Sequence, residues 1–303
     1  MDVREMKPNA GAAALAVVRP SPWSDFVALT KPRVNLLVLV TAVVGFHLGN
    51  TAGTSHALLV HTVLGTFLVA SGAAVFNQVL ERETDSRMRR TRSRPLPDGR
   101  LGLGEASLFA TTLSVIGLLE LGFGANWLAA GVAAVTLVSY VLVYTPLKRV
   151  TSLATIVGAV PGALPPVIGW AAARGSLTVE AGVLFAIVFF WQLPHVLAIA
   201  WMFREDYERG AVRVLPVEEP DGRSTSLQIV NYAAALVPVS LLPTVVGLAG
   251  RVYFVGALAL GIGVLLLAIR FARGRSGAHA KQLFYGSLAY LPVLWVLMLA
   301  DRA

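Results

Sequence analysis

Asn77, Glu81 and Asp85 stand four residues apart in the stretch NQVLERETDSRMRRTRSRPLPDGR, residues 77–100. On a helix each such step rises about 6 Å and drifts by only about 40°, so the three side chains share one face. An amide and two carboxylates stacked in this way are hard oxygen donors. Mg²⁺ takes few of these from a protein and keeps waters and substrate phosphate oxygens for the rest of its shell. Arg87, Arg89, Arg90, Arg92 and Arg94 follow at once and suit a polyanion. The plainer reading is a solvated helix end with pairing such as Asp85 to Arg89. Against it, Asn77 lies a full turn inside an apolar run, where an unpaired amide is costly.

Three further stretches could carry chemistry. Trp191-Gln-Leu-Pro-His195 lies within an apolar span, and Pro194 is expected to kink it. His195 there is either a functional group or a histidine hydrogen-bonded to a neighbouring helix. Just beyond it, Glu205 and Asp206 of REDYER could supply a second cation site facing the first. Tyr144 and Lys148, four apart around Pro146, can aim a phenol and an ammonium at one anion. They also read as an interfacial tyrosine with a basic flank. The run GAVPGALPPVIG, residues 158–169, has the Gly and Pro density of a broken or closely packed helix lining a cavity.

These residues must be held by membrane helices. The 303-residue chain is 56% hydrophobic and only 14% charged, with mean hydropathy +0.69; a soluble domain carries about 25% charge. There is no cysteine, which excludes disulfides and thiolate metal sites. Nine apolar spans have the length a bilayer demands: 34–48, 57–80, 103–123, 127–144, 152–173, 179–203, 226–248, 252–271 and 282–299. The first is short as written and could begin near Asp25, with its lysine and arginine snorkelling. The expected fold is all-α, polytopic, about nine transmembrane helices in one domain (25–303) around a central cavity. Residues 1–24 are expected to form a cytoplasmic arm; Ala10–Val18 has signal-like length, but no persuasive cleavage site follows it.

Taking the N-terminus as inside puts all but Arg174, Arg251 and Arg302 of the 25 basic residues on the cytoplasmic side or its helix ends. That bias predicts N-in, C-out. It also accounts for most of the net charge of +8 and leaves little reason to invoke nucleic acid. Two cytoplasmic loops, after spans two and six, hold ten of the 17 acidic residues and look like two halves of one site. The picture is a cavity with acids, arginines and bound cations at its mouth and apolar walls below. Such a cavity suits an amphiphile with a diphosphate head and a hydrocarbon tail.

The block Asn77-Gln-x2-Glu81-x3-Asp85-x2-Met88-x-Arg90-Thr91-x2-Arg94-Pro95 resembles the first aspartate-rich motif of the UbiA-type intramembrane prenyltransferases. It is nearest to the haem-farnesylating branch of that family. Tyr144-Thr-Pro-x-Lys148-Arg149-x-Thr151, the Gly/Pro-rich helix, Trp191-Gln-x-Pro-His195 and Asp206-Tyr207 through Leu215-Pro216 resemble the same branch, in its order. The resemblance implies transfer of farnesyl from farnesyl diphosphate to a vinyl group of haem B, with Mg²⁺ and added water, giving haem O and diphosphate in a cell membrane. It further implies metal ligation by Asn77, Glu81, Asp85 and Asp206, and catalytic roles for Asn77, Asp85, Lys148, His195 and Asp206. Arg90, Arg94, Tyr144, Lys148 and Arg209 match diphosphate-binding positions, and Trp191, Gln192 and His195 would meet haem, His195 by contact or by proton transfer. Many family members carry Asp where Glu81 stands, and His195 and Tyr207 replace acids of quinone-forming relatives. A haem A synthase is a candidate downstream partner. The rivals are prenylation of an aromatic acid such as 4-hydroxybenzoate, a transporter, and a non-catalytic assembly protein.

Overall fold

A computed structural model describes residues 21–50, 53 and 55–302. Most of the stretch expected as an arm, residues 1–20, lies outside them. In chain order the helices are α1 (Pro22–Leu29), α2 (Pro32–Gly49), α3 (His56–Leu80), α4 (Arg82–Arg87), α5 (Leu103–Gly124) and α6 (Trp127–Val138). A π-helical turn, Ser139–Tyr144, leads into α7 (Thr145–Leu147), followed by α8 (Ala154–Ala163), α9 (Pro165–Arg174) and α10 (Val179–Met202). The remainder are α11 (Arg204–Arg209), α12 (Leu215–Glu218), α13 (Arg223–Val245), α14 (Arg251–Gly274) and α15 (Gly277–Ala300). Among the described residues nine helices are long and apolar enough to cross a membrane, two of them composite: 127–147 and 154–174. Leu108, Val135, Val255 and Val296 face outward, as lipid allows, while Phe46, Trp170, Ile187 and Phe271 fill the interior. The chain is a multi-pass membrane protein.

The first span does not begin near Asp25. Pro32 disfavours helical backbone at the residue before it, and Lys31 takes φ 49, ψ 58. A left-handed lysine costs on the order of 1–3 kcal/mol unless its surroundings impose it. Here they do: Asn35 Nδ2 donates to the Thr30 carbonyl at 2.7 Å, and Gln78 Nε2 donates to that of Leu29 at 2.7 Å. Arg100 Nε holds Asp25 at 3.0 Å and pins α1 against the loop that follows α4.

Residues 158–169 serve both expected purposes. α8 and α9 meet at Leu164, and a Cβ on Gly169 would run into the Ala42 carbonyl, as one on Gly45 would into that of Pro166. Bare backbone therefore sets the crossing of α2 on α9. The preceding turn contributes Pro161, Gly162 and Pro165 to a cavity wall.

Candidate active site

A cavity of about 490 Å³ opens between α2, α3, the π-turn, α8 and α10. Lys31, Asn77, Glu81, Asp85, Arg90, Arg94 and Lys148 line one end. Val34 and Val38 continue from Lys31 along α2, and Ala74, Ala73 and Ala70 run back from Asn77 along α3. The cavity thus has a charged head and an apolar floor of small side chains.

The oxygen ladder survives a joint in the chain. Glu81 leaves helical backbone between α3 and α4 (φ −98, ψ 10). The i,i+4 bonds nevertheless persist, Glu81 N–H to Asn77 O at 3.0 Å and Asp85 N–H to Glu81 O at 2.7 Å, so one face still presents all three side chains. Each of them meets a different cation. Lys31 Nζ donates to Asn77 Oδ1 at 3.2 Å, Lys148 Nζ to Glu81 Oε1 at 2.9 Å, and Arg94 to Asp85 Oδ2 at 2.7 Å. Asp85 pairs with Arg94, not with Arg89.

Asn77 cannot turn its amide round. Its Nδ2 donates to Thr145 Oγ1 at 3.2 Å, and Thr145 gives its own proton to the Tyr140 carbonyl at 2.8 Å. With that proton committed, the hydroxyl oxygen can only accept, which directs Oδ1 to the cation side. Pro146 has no N–H to close the regular helix, and the turn before it widens to the π form. Tyr144 follows from this geometry: its ring lies against Gly158, where no Cβ would fit, and under Lys148 Nζ at 4.3 Å. Arg90 lies over the rings of Phe203 and Tyr207, at 5.1 and 6.0 Å. Burial, then Arg94 and Lys148, lower the Lys31 ammonium to about 8, and burial raises the Tyr207 phenol.

Asn77, Glu81 and Asp85 together fit Mg²⁺, which accepts a small set of hard oxygens and completes its shell with water and phosphate. Among the described residues there is no cluster of three His, Cys, Asp or Glu side chains, so a cation held here relies on substrate oxygens too.

Asp206 does not join the ladder. Its carboxylate accepts the backbone N–H groups of Arg89 (3.1 Å) and Arg90 (3.3 Å) and the Arg209 guanidinium (2.9 Å). Arg209 is also bound to Glu205 at 3.2 Å. Glu205 and Asp206, expected to face the ladder as a second cation site, share Arg209 and line a separate surface pocket with it, off the cavity wall. The chain leaves α10 at Phe203 (φ −114, ψ 23), and two unpaired amides of the 88–90 turn attract the carboxylate. Asp206 instead fixes the loop that carries Arg90. Its neighbour Tyr207 does line the cavity.

α10 continues through Pro194 and shows the cavity Val196 and Ala200. His195 faces α15: Nδ1 meets Ser287 Oγ at 2.8 Å, and the ring stacks on Trp191 and Phe284 with centroids 5.1 and 4.9 Å away. Trp191 Nε1 donates to the Ser287 carbonyl at 2.7 Å. Gln192 donates to Ala159 O at 2.7 Å and abuts Gly162. His195 is thus hydrogen-bonded to a neighbouring helix through Nδ1. Trp191 and His195 lie off the cavity wall.

Sequence reading missed Lys31 and Thr145. Both precede a proline, and the Lys-Pro and Thr-Pro pairs were the available signal, since proline redirects the residue before it. In the sequence Lys31 reads only as part of the positive-inside bias.

Among the described residues, nine membrane-length helices and a cavity with a charged head and an apolar floor define a membrane-embedded site for an amphiphilic anion. The chain belongs to the UbiA prenyltransferase family, whose model matches residues 38–296. A relative from Solibacter usitatus (strain Ellin6076), named protoheme IX farnesyltransferase, is 49% identical over 287 residues, covering 92% of this chain and 98% of its own. A solved structure of digeranylgeranylglyceryl phosphate synthase has a TM-score of 0.78 at 16% identity, covering 92% of this chain and 98% of that one. A UbiA homolog from Archaeoglobus fulgidus bound to DMAPP and Mg2+ has a TM-score of 0.65 at 16% identity, covering 89% and 99%. At such identities the two structures speak for the shared fold.

Proposed function

We propose that this prenyltransferase moves the farnesyl group of farnesyl diphosphate to a vinyl group of haem B, with addition of water, to give haem O and diphosphate. The observation that carries the reading is the cavity itself. It joins oxygen donors and basic side chains at its head to small apolar side chains at its floor, which matches an allylic diphosphate end to end. The names of the relatives, at up to 49% identity across nearly the whole chain, favour haem over an aromatic acid as acceptor.

Asn77, Glu81 and Asp85 would hold Mg²⁺. Bound there, the ion neutralises the diphosphate and improves it as a leaving group. Lys148, Arg94, Arg90 and Tyr144 bind the phosphate oxygens, and Asp206 keeps Arg90 in place. Val34, Val38 and the alanines of α3 keep water from the allylic carbon until the acceptor arrives.

On the acceptor side, Trp191 and His195 would meet haem from outside the cavity wall, His195 being stacked on Trp191 and on Phe284. Ser287 donates its proton to Phe284 O at 2.9 Å, so His195 donates through Nδ1 and keeps its lone pair on Nε2. Nε2 is then the atom available for a haem contact or for taking a proton. We place the N-terminus and the cavity mouth at the cytoplasmic face of the cell membrane, the C-terminus outside, and residues 25–303 in one catalytic domain. A haem A synthase would receive the product.

The test is pigment analysis by mass after expression in cells lacking their own haem O. A haem heavier by farnesyl plus water is expected. A prenylated aromatic acid alone would reject the assignment.

A further inference from the structure

Three ladder oxygens meet three cations, one each, and the third cation comes from outside every motif that marks the site. Lys148 and Arg94 are paired with carboxylates, Glu81 and Asp85. Lys31 is not: among the described residues its ammonium makes one hydrogen bond, to the neutral amide oxygen of Asn77. An ammonium in a cavity wall with only an amide for a direct partner is poorly compensated. Its backbone is nevertheless forced into a left-handed conformation and locked there by Asn35 and Gln78. Thr145 holds the other end of the same contact. Three cations against two carboxylates leave a positive excess at the head, even before Arg90 is counted. A magnesium–diphosphate ester, which keeps residual negative charge, matches it in sign.

We propose that Lys31 is a further diphosphate-binding residue, and that Lys31, Lys148 and Arg94 are exchangeable. Each occupies one ladder oxygen while no diphosphate is bound, and all three turn to the phosphate oxygens when the metal–diphosphate enters. The exchange makes entry cooperative. Releasing the basic groups frees Asn77, Glu81 and Asp85 for the cation, and the released groups are already within reach of the anion. It rests on the assignment of the ladder as a diphosphate site. It adds that the ladder's basic partners oppose metal binding in the free protein and support it in the complex.

That dual action predicts opposite shifts from one substitution. The full chain, purified in detergent, is titrated with Mn²⁺ alone, followed by its paramagnetic resonance, and separately with inorganic diphosphate at saturating Mg²⁺, followed by calorimetry. In Lys31→Met, Mn²⁺ alone is expected to bind roughly threefold tighter or more, because Asn77 Oδ1 is vacated. Diphosphate is expected to bind about tenfold weaker or more, from loss of a charge-assisted contact. Lys31→Arg, which keeps the charge, should restore most of the diphosphate affinity. If Lys31→Met does not fold, Lys31→Gln carries the same test. Weakening of both ligands, or a change in neither, would overturn the exchange while leaving the ladder assignment standing. Absence of Mg²⁺-dependent diphosphate binding in the unsubstituted protein would overturn both.

Discussion

Asp85 and Asp206 are both aspartates in arginine-rich loops, yet their surroundings give them different work. Asp85 faces the cavity with Arg94 as its partner, whereas Asp206 accepts two backbone amides and one guanidinium on the far side of the same loop. Asp85→Ala should therefore lower haem O formation by roughly 100-fold or more, as loss of a group that acts on developing charge does. The protein should remain at normal level in membranes, measured by immunoblot beside product mass. Asp206→Ala should act through Arg90. We expect about a tenfold higher KM for farnesyl diphosphate with an unchanged Mg²⁺ requirement, measured in initial-rate assays on membranes. Thr145→Val removes the acceptor that orients Asn77. Groups that orient a metal ligand are typically worth about 10–100-fold in metal affinity. The half-saturating Mg²⁺ concentration for turnover should rise by about that factor.

At the level of elements, the site depends on places where helices stop being regular. The break at Thr30–Pro32 projects Lys31, the π-turn before Pro146 positions Tyr144 and Lys148, and the joint at Leu164 lets α8 line the cavity while α9 packs on α2. That packing requires bare backbone at Gly169. A leucine there must push the two helices apart, and overpacking of this kind costs about 1–3 kcal/mol. Gly169→Leu should lower the thermal unfolding midpoint in detergent and reduce the amount of protein in the membrane. A midpoint equal to that of the parent would contradict the close crossing of α2 and α9.

For the molecule as a whole, the charged head of the cavity lies at the end where α3 finishes and α2 begins, the end we propose to be cytoplasmic. The chain has no cysteine, so a single introduced thiol reports its own side. In intact cells an impermeant maleimide should label Leu177→Cys, in the turn between α9 and α10, and spare Asp98→Cys, in the loop after α4; the reverse pattern would invert the topology.

The nine spans, their order and the Asn77–Glu81–Asp85 face were legible in the amino-acid sequence. Apolar length and i,i+4 spacing are local properties that burial in lipid and helix geometry convert directly into structure. The partners were not legible. Lys31 reaches Asn77 across 46 residues and Lys148 reaches Glu81 across 67. His195 turns to α15 while Val196, one residue on, faces the cavity. The rotation of a helix about its own axis is decided by what it packs against, and here that means bare glycine crossings, proline-directed breaks and amides in need of acceptors. The ladder was written in the chain, but which cation holds each rung was decided only when distant helices met.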